Sequence, residues 1–197
     1  MSEPITPKQD KIIDLCAAPG GKSFLLAEQI EDKGEIIAID KYPSKLKFIE
    51  DGKSRLAINS IKTLVADARN LDVENEFDIV FLDAPCSGLG TLQKKPDIKW
   101  KRDKEDIKTL TATQKELLES AAKITKPGGV IIYSTCSIEP EENYEIVEKF
   151  LAEHSEFELD PAEKYLPEKV CSRGFMQTFP HIHYCDGAFA ARLIKTK

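Results

Sequence analysis

The chain has 197 residues, of which 41% are hydrophobic and 31% are charged, and its formal net charge is −6. These proportions are typical of one folded domain, so we expect residues 1–197 to form a single domain. No apolar stretch approaches the roughly 20 residues that a membrane-spanning helix needs, and the chain does not begin with a secretory signal pattern. We therefore expect a cytoplasmic protein, monomeric and without a membrane partner.

Strand-like apolar runs alternate with helical patterns, as in the βαβ units of a parallel sheet. The expected strands are residues 11–16, 36–40, 63–66, 77–82 and 130–134, with two more at 157–159 and 188–194. The expected helices are residues 23–31, 44–59, 103–126 and 139–153, and residues 161–186 are expected to be an irregular loop. The sequence thus predicts an α/β fold with a mostly parallel sheet of six or seven strands and helices on both faces.

A glycine turn follows the first strand, in Cys16-Ala17-Ala18-Pro19-Gly20-Gly21-Lys22. It lacks the Gly-x-Gly-x-x-Gly pattern of dinucleotide-binding domains, and Cys16 stands where a phosphate-binding P-loop has its first glycine. Two adjacent glycines let the backbone pass close to a ligand, as S-adenosylmethionine binding requires, although a plain strand-to-helix turn is an alternative.

Acidic residues end the next two strands. Asp40 lies about 20 residues beyond the glycines, where a carboxylate can accept the ribose hydroxyls of a nucleoside or cap the following helix. Asp67 ends the third strand and is placed to receive an adenine amino group. Together they favour a nucleoside-like cofactor.

Two cysteines also follow predicted strands, Cys86 the fourth and Cys136 the fifth. Ligands of such folds bind beyond the carboxyl ends of the strands, so both thiols are expected in one pocket facing the cofactor. The alternative is a pair of buried, inert cysteines. Spacing alone does not show which thiol attacks.

The five cysteines are an odd number without the spacing of a small disulfide-bonded domain, so we expect free thiols. We interpret Cys16, Cys171 and Cys185 as structural. The tight spacing of His181, His183 and Cys185 fits no common zinc site, and we expect no metal.

The acidic net charge argues against a nucleic-acid binder, because phosphate contacts come from Lys and Arg, but cations cluster locally in residues 94–102. Lys94, Lys95 and Lys99 surround Trp100 there. Phosphate contact combined with base stacking would use this mixture, and a solvated loop with one anchoring tryptophan is the alternative.

Five motifs together resemble the family of RNA cytosine-C5 methyltransferases. They are residues 14–22 (DLCAAPGGK), Asp40, residues 67–69 (DAR), residues 82–88 (LDAPCSG) and residues 135–143 (TCSIEPEEN). Residues 95–100 (KPDIKW) look most like the Sun/RsmB branch, which acts on small-subunit ribosomal RNA. The resemblance implies the Rossmann-like fold of class I S-adenosylmethionine-dependent methyltransferases. It also implies a cofactor held by residues 16–22, Asp40, Asp67 and Asp83, and 16S ribosomal RNA as substrate.

The resemblance further implies a role for each reactive side chain. Cys136 is expected to attack carbon 6 of the cytosine, Cys86 to assist product release and Asp83 to bind the edge of the base. A free thiol is mostly protonated at pH 7, and Lys22 is expected to help lower the pKa of the nucleophile.

Two other functions stay open: a transfer-RNA cytosine-C5 methyltransferase, and a non-catalytic RNA-binding or ribosome-assembly module that keeps the fold. Members of the family usually carry an upstream RNA-binding region. We find none in this sequence, and expect the chain to be the catalytic domain of a longer protein.

Overall fold

The computed structural model describes residues 10–197. The first residues of the chain, on which the absence of a secretory signal was predicted, lie outside this range. Nine strands and five helices are present in the described residues. The strands are β1 (Lys11–Asp14), β2 (Glu35–Asp40), β3 (Ile61–Val65), β4 (Phe77–Asp83), β5 (Thr125–Thr135), β6 (Phe157–Asp160), β7 (Cys171–Ser172), β8 (Phe175–Thr178) and β9 (Ala188–Lys195). The helices are α1 (Gly21–Gln29), α2 (Pro43–Leu56), α3 (Lys104–Ile124), α4 (Tyr144–Glu153) and α5 (Pro180–His183).

All nine strands belong to one sheet, in the order β3-β2-β1-β4-β5-β9-β8-β7, with β6 also paired to β9. Strands β1 to β5 run parallel, and β9 returns antiparallel to β5. Both β6 and β8 pair with β9, at opposite ends of that strand. The predicted α/β architecture is therefore confirmed, with a mostly parallel half that ends in an antiparallel edge.

Helices cover both faces of the sheet, because successive side chains of a strand point to opposite sides. In β4, Val80 and Leu82 belong to one apolar cluster, which includes residues of α3 and α4. Ile79 belongs to a second cluster, which includes residues of α1 and α2. The sheet is thus buried between two helical layers, as predicted.

The strand count differs from the predicted six or seven because residues 161–186 are not an irregular loop throughout. A two-residue turn at Arg173 and Gly174 joins β7 to β8, and both residues have positive φ. Two consecutive positive φ angles suit the right-handed twist of a hairpin. Phe175, the first residue of β8, is buried, and it anchors the hairpin beside β9.

Two helix boundaries also differ from the prediction. Asp103 caps α3, accepting hydrogen bonds from the backbone of Glu105 and Asp106, but the helix ends at Ile124 and β5 begins at once. The predicted helix over 139–153 divides into a 3₁₀ turn at Pro140–Glu142 and α4. The break falls at Asn143, whose side chain bonds the carbonyl of Ser137. In residues 10–197 no helix is long and apolar enough to cross a membrane.

Candidate active site

The parallel strands β3, β2, β1, β4 and β5 lie side by side, so their carboxyl ends meet along one edge of the sheet. Each strand is followed or ended there by one predicted site residue. In sheet order these are Asp67, Asp40, Cys16, Asp83 and Cys136. Backbone hydrogen bonds extend the pairing just past the strands, from Ala17 to Ile39 and from Ala84 to Ser134. The topology therefore brings the expected cofactor and thiol residues to one edge.

The turn over residues 16–22 carries the chain from β1 into α1. Gly20 has φ 109°, in the left-handed region that favours glycine. Gly21 begins α1, and a methyl group built on it would meet nothing within 4 Å. An open helix N-terminus presents free backbone N–H groups to a ligand. The turn thus has room for a cofactor against its backbone.

Asp14, at the end of β1, was not selected by the sequence reasoning. It is 1% exposed, and its Oδ2 accepts a hydrogen bond of 2.7 Å from Ser23. Its Oδ1 has no partner among residues 10–197. Burial raises the pKa of this carboxyl to about 6. An unpaired buried acceptor next to the glycine turn fits a cofactor that brings a hydrogen-bond donor.

Asp40 and Asp67 differ in how free their carboxylates are. Asp40 is buried, and its Oδ1 accepts the backbone N–H of Tyr42 at 2.9 Å. Within residues 10–197, the contact of its Oδ2 is a distant ion pair with Lys45 at 3.9 Å, which leaves room for a ribose hydroxyl. Asp67 is held by Arg69 through both carboxylate oxygens, and this contact lowers the pKa of Asp67 well below its usual range. An adenine amino group bound at Asp67 would share the carboxylate with Arg69.

The two thiols lie in contact. The Sγ atoms of Cys86 and Cys136 are 3.2 Å apart, both cysteines are free, and the backbone N–H of Cys136 donates to the Sγ of Cys86. The thiol hydrogen bond from Cys86 lowers the pKa of Cys136 to about 7, whereas the same contact and burial raise the pKa of Cys86. A thiolate is the nucleophilic form of cysteine. Cys136 is also the more exposed of the two thiols, so its exposure and its lower pKa together make it the more reactive.

Lys22 and Asp83 form an ion pair at the same edge, and Ser134 donates to Asp83 at 2.9 Å. Lys22 does lower the pKa of Cys136, but its effect is smaller than that of Cys86 and is opposed by Asp83. The main cause of the thiolate character is thus the second thiol, and the lysine that the sequence pointed to contributes less. Asp83 is partly exposed and keeps lone pairs available for a substrate.

The basic segment forms a 3₁₀ turn at Pro96–Trp100. Trp100 is 82% exposed, so it does not anchor a loop to the core, and Lys99 lies 5.2 Å from the centre of its ring. Lys94 is paired with Asp186 at 2.7 Å. Arg102 donates to the carbonyl of Ser87, directly after Cys86. The segment is therefore tied to the thiol site at its base and presents an open aromatic face.

A buried polar cluster behind the thiols was missed by the sequence reasoning. It contains Ser87, Ser137, Glu142 and Asn143, all at most 1% exposed. The sequence predicts a helix start at residues 139–143 and includes them in the motif of Cys136, but it assigns no role to Glu142 or Asn143. The sequence signal that could have identified Ser137, Glu142 and Asn143 is their place in the same motif as Cys136. In residues 10–197 no group of three or more His, Cys, Asp or Glu side chains is arranged to hold a metal ion.

Comparison with known proteins places these features in a family. The family model described as 16S rRNA methyltransferase RsmB/F matches residues 5–194. The chain is 39% identical to the probable ribosomal RNA small subunit methyltransferase B of Bacillus subtilis (strain 168), covering 97% of the chain and 44% of the relative. It is 38% identical to ribosomal RNA small subunit methyltransferase B of Shewanella oneidensis, covering 93% and 42%. The chain thus spans less than half the length of these relatives.

Solved structures agree with the sequence comparison. The structure of NSun6 from Pyrococcus horikoshii with SFG matches with a TM-score of 0.86 and 34% identity, over 96% of this chain and 49% of that one. A methyltransferase homologue from the same organism matches with a TM-score of 0.79 and 32% identity, over 95% and 62%. The fold is the Rossmann-like fold of S-adenosylmethionine-dependent methyltransferases. Because the family model matches residues 5–194 and a relative is 39% identical over 97% of the chain, the chain belongs to the RsmB/F family of 16S rRNA methyltransferases.

Proposed function

We propose that this chain transfers a methyl group from S-adenosylmethionine to carbon 5 of a cytosine in 16S ribosomal RNA. The observation that carries the proposal is the contact between Cys86 and Cys136, 3.2 Å apart beside the cofactor turn. Membership of the RsmB/F family supports the choice of substrate. Two reactive thiols at one strand edge have no use in a purely structural RNA-binding module.

Carbon 5 of cytosine is too weak a nucleophile to take a methyl group directly. In the proposed reaction the Cys136 thiolate forms a bond to carbon 6, and N3 of the ring takes a proton from solvent. Carbon 5 then has enamine character and would form a bond to the methyl carbon of the sulfonium, while the bond from that carbon to sulfur breaks and S-adenosylhomocysteine leaves as a neutral thioether. The proton on carbon 5 leaves to solvent, the bond between Cys136 and carbon 6 breaks, and the N3 proton departs, which restores the aromatic ring.

The other site residues are assigned to steps around that bond. Cys86 stabilises the Cys136 thiolate before attack through its hydrogen bond and assists release afterwards. The Asp83 carboxylate accepts a hydrogen bond from the N3 or amino edge of the cytosine. Lys22 holds Asp83 in place through their ion pair. The base must leave its stack for the thiolate to reach carbon 6, so the substrate is single-stranded or flipped.

S-adenosylmethionine supplies an electrophilic methyl group when bound. The residues assigned to hold it are the turn over 16–22, Asp40 through its free Oδ2, Asp67 and Asp83. The space at Gly21 and the unpaired Oδ1 of Asp14 support this placement. A solved relative contains SFG, an analogue of this cofactor.

The exposed segment around Trp100 is assigned to RNA binding. A base can stack on the open indole, while Lys94, Lys95 and Lys99 contact neighbouring phosphates. Lys94 would exchange Asp186 for a phosphate. We further propose that the chain is one catalytic domain, works as a cytoplasmic monomer and uses no metal.

The test is methyl transfer from tritiated S-adenosylmethionine to separate RNA pools. The expected result is label in 16S ribosomal RNA, recovered as 5-methylcytidine when the RNA is digested to nucleosides. Label in transfer RNA alone would replace the proposed substrate with the alternative one. Absence of label from every pool, with cofactor binding intact by calorimetry, would favour the non-catalytic alternative.

A further inference from the structure

A buried carboxylate lies behind the two thiols. Glu142 is 0% exposed, and its Oε1 accepts the backbone N–H of Ser87 at 2.8 Å and the side-chain amide of Gln114 at 3.1 Å. Its Oε2 accepts the hydroxyl of Ser87. A carboxylate accepts hydrogen bonds and donates none, so three converging donors match Glu142 well. Burying a carboxyl group costs free energy unless it is hydrogen-bonded, so these three bonds fix Glu142 against Ser87 and Gln114.

Hydrogen-bond directions follow from the number of hydrogens. The hydroxyl of Ser87 has one hydrogen, which goes to Glu142. The 3.1 Å contact between the hydroxyls of Ser87 and Ser137 therefore has Ser137 as donor. Ser137 in turn accepts the backbone N–H of Glu139. The result is a directed chain from Ser137 through Ser87 to Glu142, which we call the serine bridge.

The serine bridge joins the two loops that carry the thiols. Ser87 directly follows Cys86, and Ser137 directly follows Cys136. Glu142 is itself fixed, because its backbone carbonyl accepts the hydroxyl of Tyr133 in β5 at 2.7 Å. One residue away from the bridge lies the 3.2 Å contact between the two sulfur atoms. The same loops are also joined by a backbone hydrogen bond of 2.9 Å from Gly90 to the carbonyl of Cys136, so loosening the bridge would shift Ser87 relative to Ser137 without releasing the loops.

We propose that Glu142 is a positioning residue that, through the serine bridge, holds Cys86 close enough to donate its hydrogen bond to the Cys136 thiolate. The inference deepens the proposed function, since it concerns how the same site prepares its nucleophile. The positioning role of Glu142 can be tested without RNA, because the Cys136 thiolate forms before it attacks the substrate. Charged and titratable groups that act on Cys136 are Cys86, Asp83 and Lys22, and none of them is altered in the test.

The test is the rate of alkylation of Cys136 by iodoacetamide as a function of pH, followed by peptide mass spectrometry. Ser137→Ala removes the donor to Ser87. Glu142→Gln keeps the size but turns an amide NH₂ toward one of the converging donors. Ser137→Ala, which changes no charge, should raise the midpoint of Cys136 alkylation by about one pH unit, which lowers its rate near pH 7 up to about tenfold. Glu142→Gln should raise the midpoint less, because it also removes a carboxylate behind the thiols.

The matched control is Ser120→Ala, another buried serine hydroxyl deletion, because Ser120 bonds the carbonyl of Ala68 away from the thiols. It should leave the alkylation midpoint unchanged. In methyl transfer, the bridge variants should lower kcat and leave the affinity for S-adenosylmethionine unchanged. Ser137→Ala loses a single hydroxyl and keeps the test usable where Glu142→Gln fails to fold.

A folded Ser137→Ala protein with the wild-type alkylation midpoint would overturn the inference. The outcome is separate from that of the proposed function. A raised midpoint in a protein that methylates no RNA would leave the positioning role standing, while the proposed reaction would fail.

Discussion

The change in the free energy of unfolding caused by Asp14→Asn should be more favourable at about pH 8 than at about pH 4. Burial raises the pKa of Asp14 to about 6 in the folded protein, against a usual value of 3.8. The folded state therefore binds this proton more tightly than the unfolded chain does. Below pH 3.8 Asp14 is protonated in both states and does not reduce the free energy of unfolding. As the pH rises through 6 that free energy falls, because the folded protein must bury the ionised carboxylate. Asparagine carries no charge to bury and escapes that loss.

The size of the effect can be worked from the pKa difference. Going from 3.8 to about 6 corresponds to about 3 kcal/mol, at about 1.4 kcal/mol for each pKa unit. Asp14 is 1% exposed, so solvent screening does not reduce this figure much. In asparagine an NH₂ group would take the place of the unpaired Oδ1. This buried donor would have no acceptor, which costs about 1–3 kcal/mol of the free energy of unfolding. That cost does not vary with pH, so the predicted quantity is the difference between the two pH values.

The assay is urea unfolding of wild type and variant at each pH. Subtracting wild type removes the contribution of every other titrating group. Asp160→Asn is the control, because Asp160 is equally buried but bonds Lys164, Tyr165 and Arg192. Burial alone would raise its pKa, but these partners lower it, so this variant should destabilise the protein at pH 8. An Asp14→Asn effect that is the same at both pH values would refute the reasoning.

Three further predictions follow from the site geometry. Asp40→Asn should weaken S-adenosylmethionine binding by about tenfold or more in calorimetry, because ribose hydroxyls lose a charged acceptor; unchanged affinity would contradict its assignment. Lys99→Ala combined with Trp100→Ala should weaken RNA binding and reduce its salt dependence by about one ion, with cofactor affinity unchanged; wild-type RNA affinity would contradict the RNA-binding surface. In Gly90→Ala the new methyl would lie 2.1 Å from the carbonyl oxygen of Gly187, so unfolding free energy should fall by about 1–3 kcal/mol. Gly21→Ala, with open space around it, is the matched control, and equal stability of the two variants would contradict this packing.

The parallel half of the sheet could be predicted because each strand is an apolar run that ends in a distinctive polar motif. Strands β1 to β5 appear close to the expected positions, and their ends meet at one edge as parallel pairing requires. The hairpin of β7 and β8 could not be predicted. Its strands are short, and Arg173-Gly174 is a weaker turn signal than Asn-Gly. Its position depends on pairing with β9, which is a tertiary contact.

The thiol site shows the same limit. The sequence placed Cys86 and Cys136 in one pocket, but their 3.2 Å contact and the greater exposure of Cys136 come from the folded loops, which spacing does not encode. Glu142 looks like an ordinary acid at a helix start until the fold buries it against Ser87. Asp14 likewise looks like part of a strand, and only its burial shows an unpaired oxygen.

The central claim is that Cys136 bonds to the cytosine and Cys86 helps to release it. The most direct measurement is a denaturing gel of the protein with 16S ribosomal RNA and S-adenosylmethionine, comparing Cys86→Ala with Cys136→Ala. Cys86→Ala should form the covalent protein–RNA band more slowly, because Cys136 loses the contact that lowers its pKa, but should accumulate it because release is blocked. Cys136→Ala should show neither that band nor methylated product. A covalent band or full turnover in Cys136→Ala would contradict the assignment of the nucleophile.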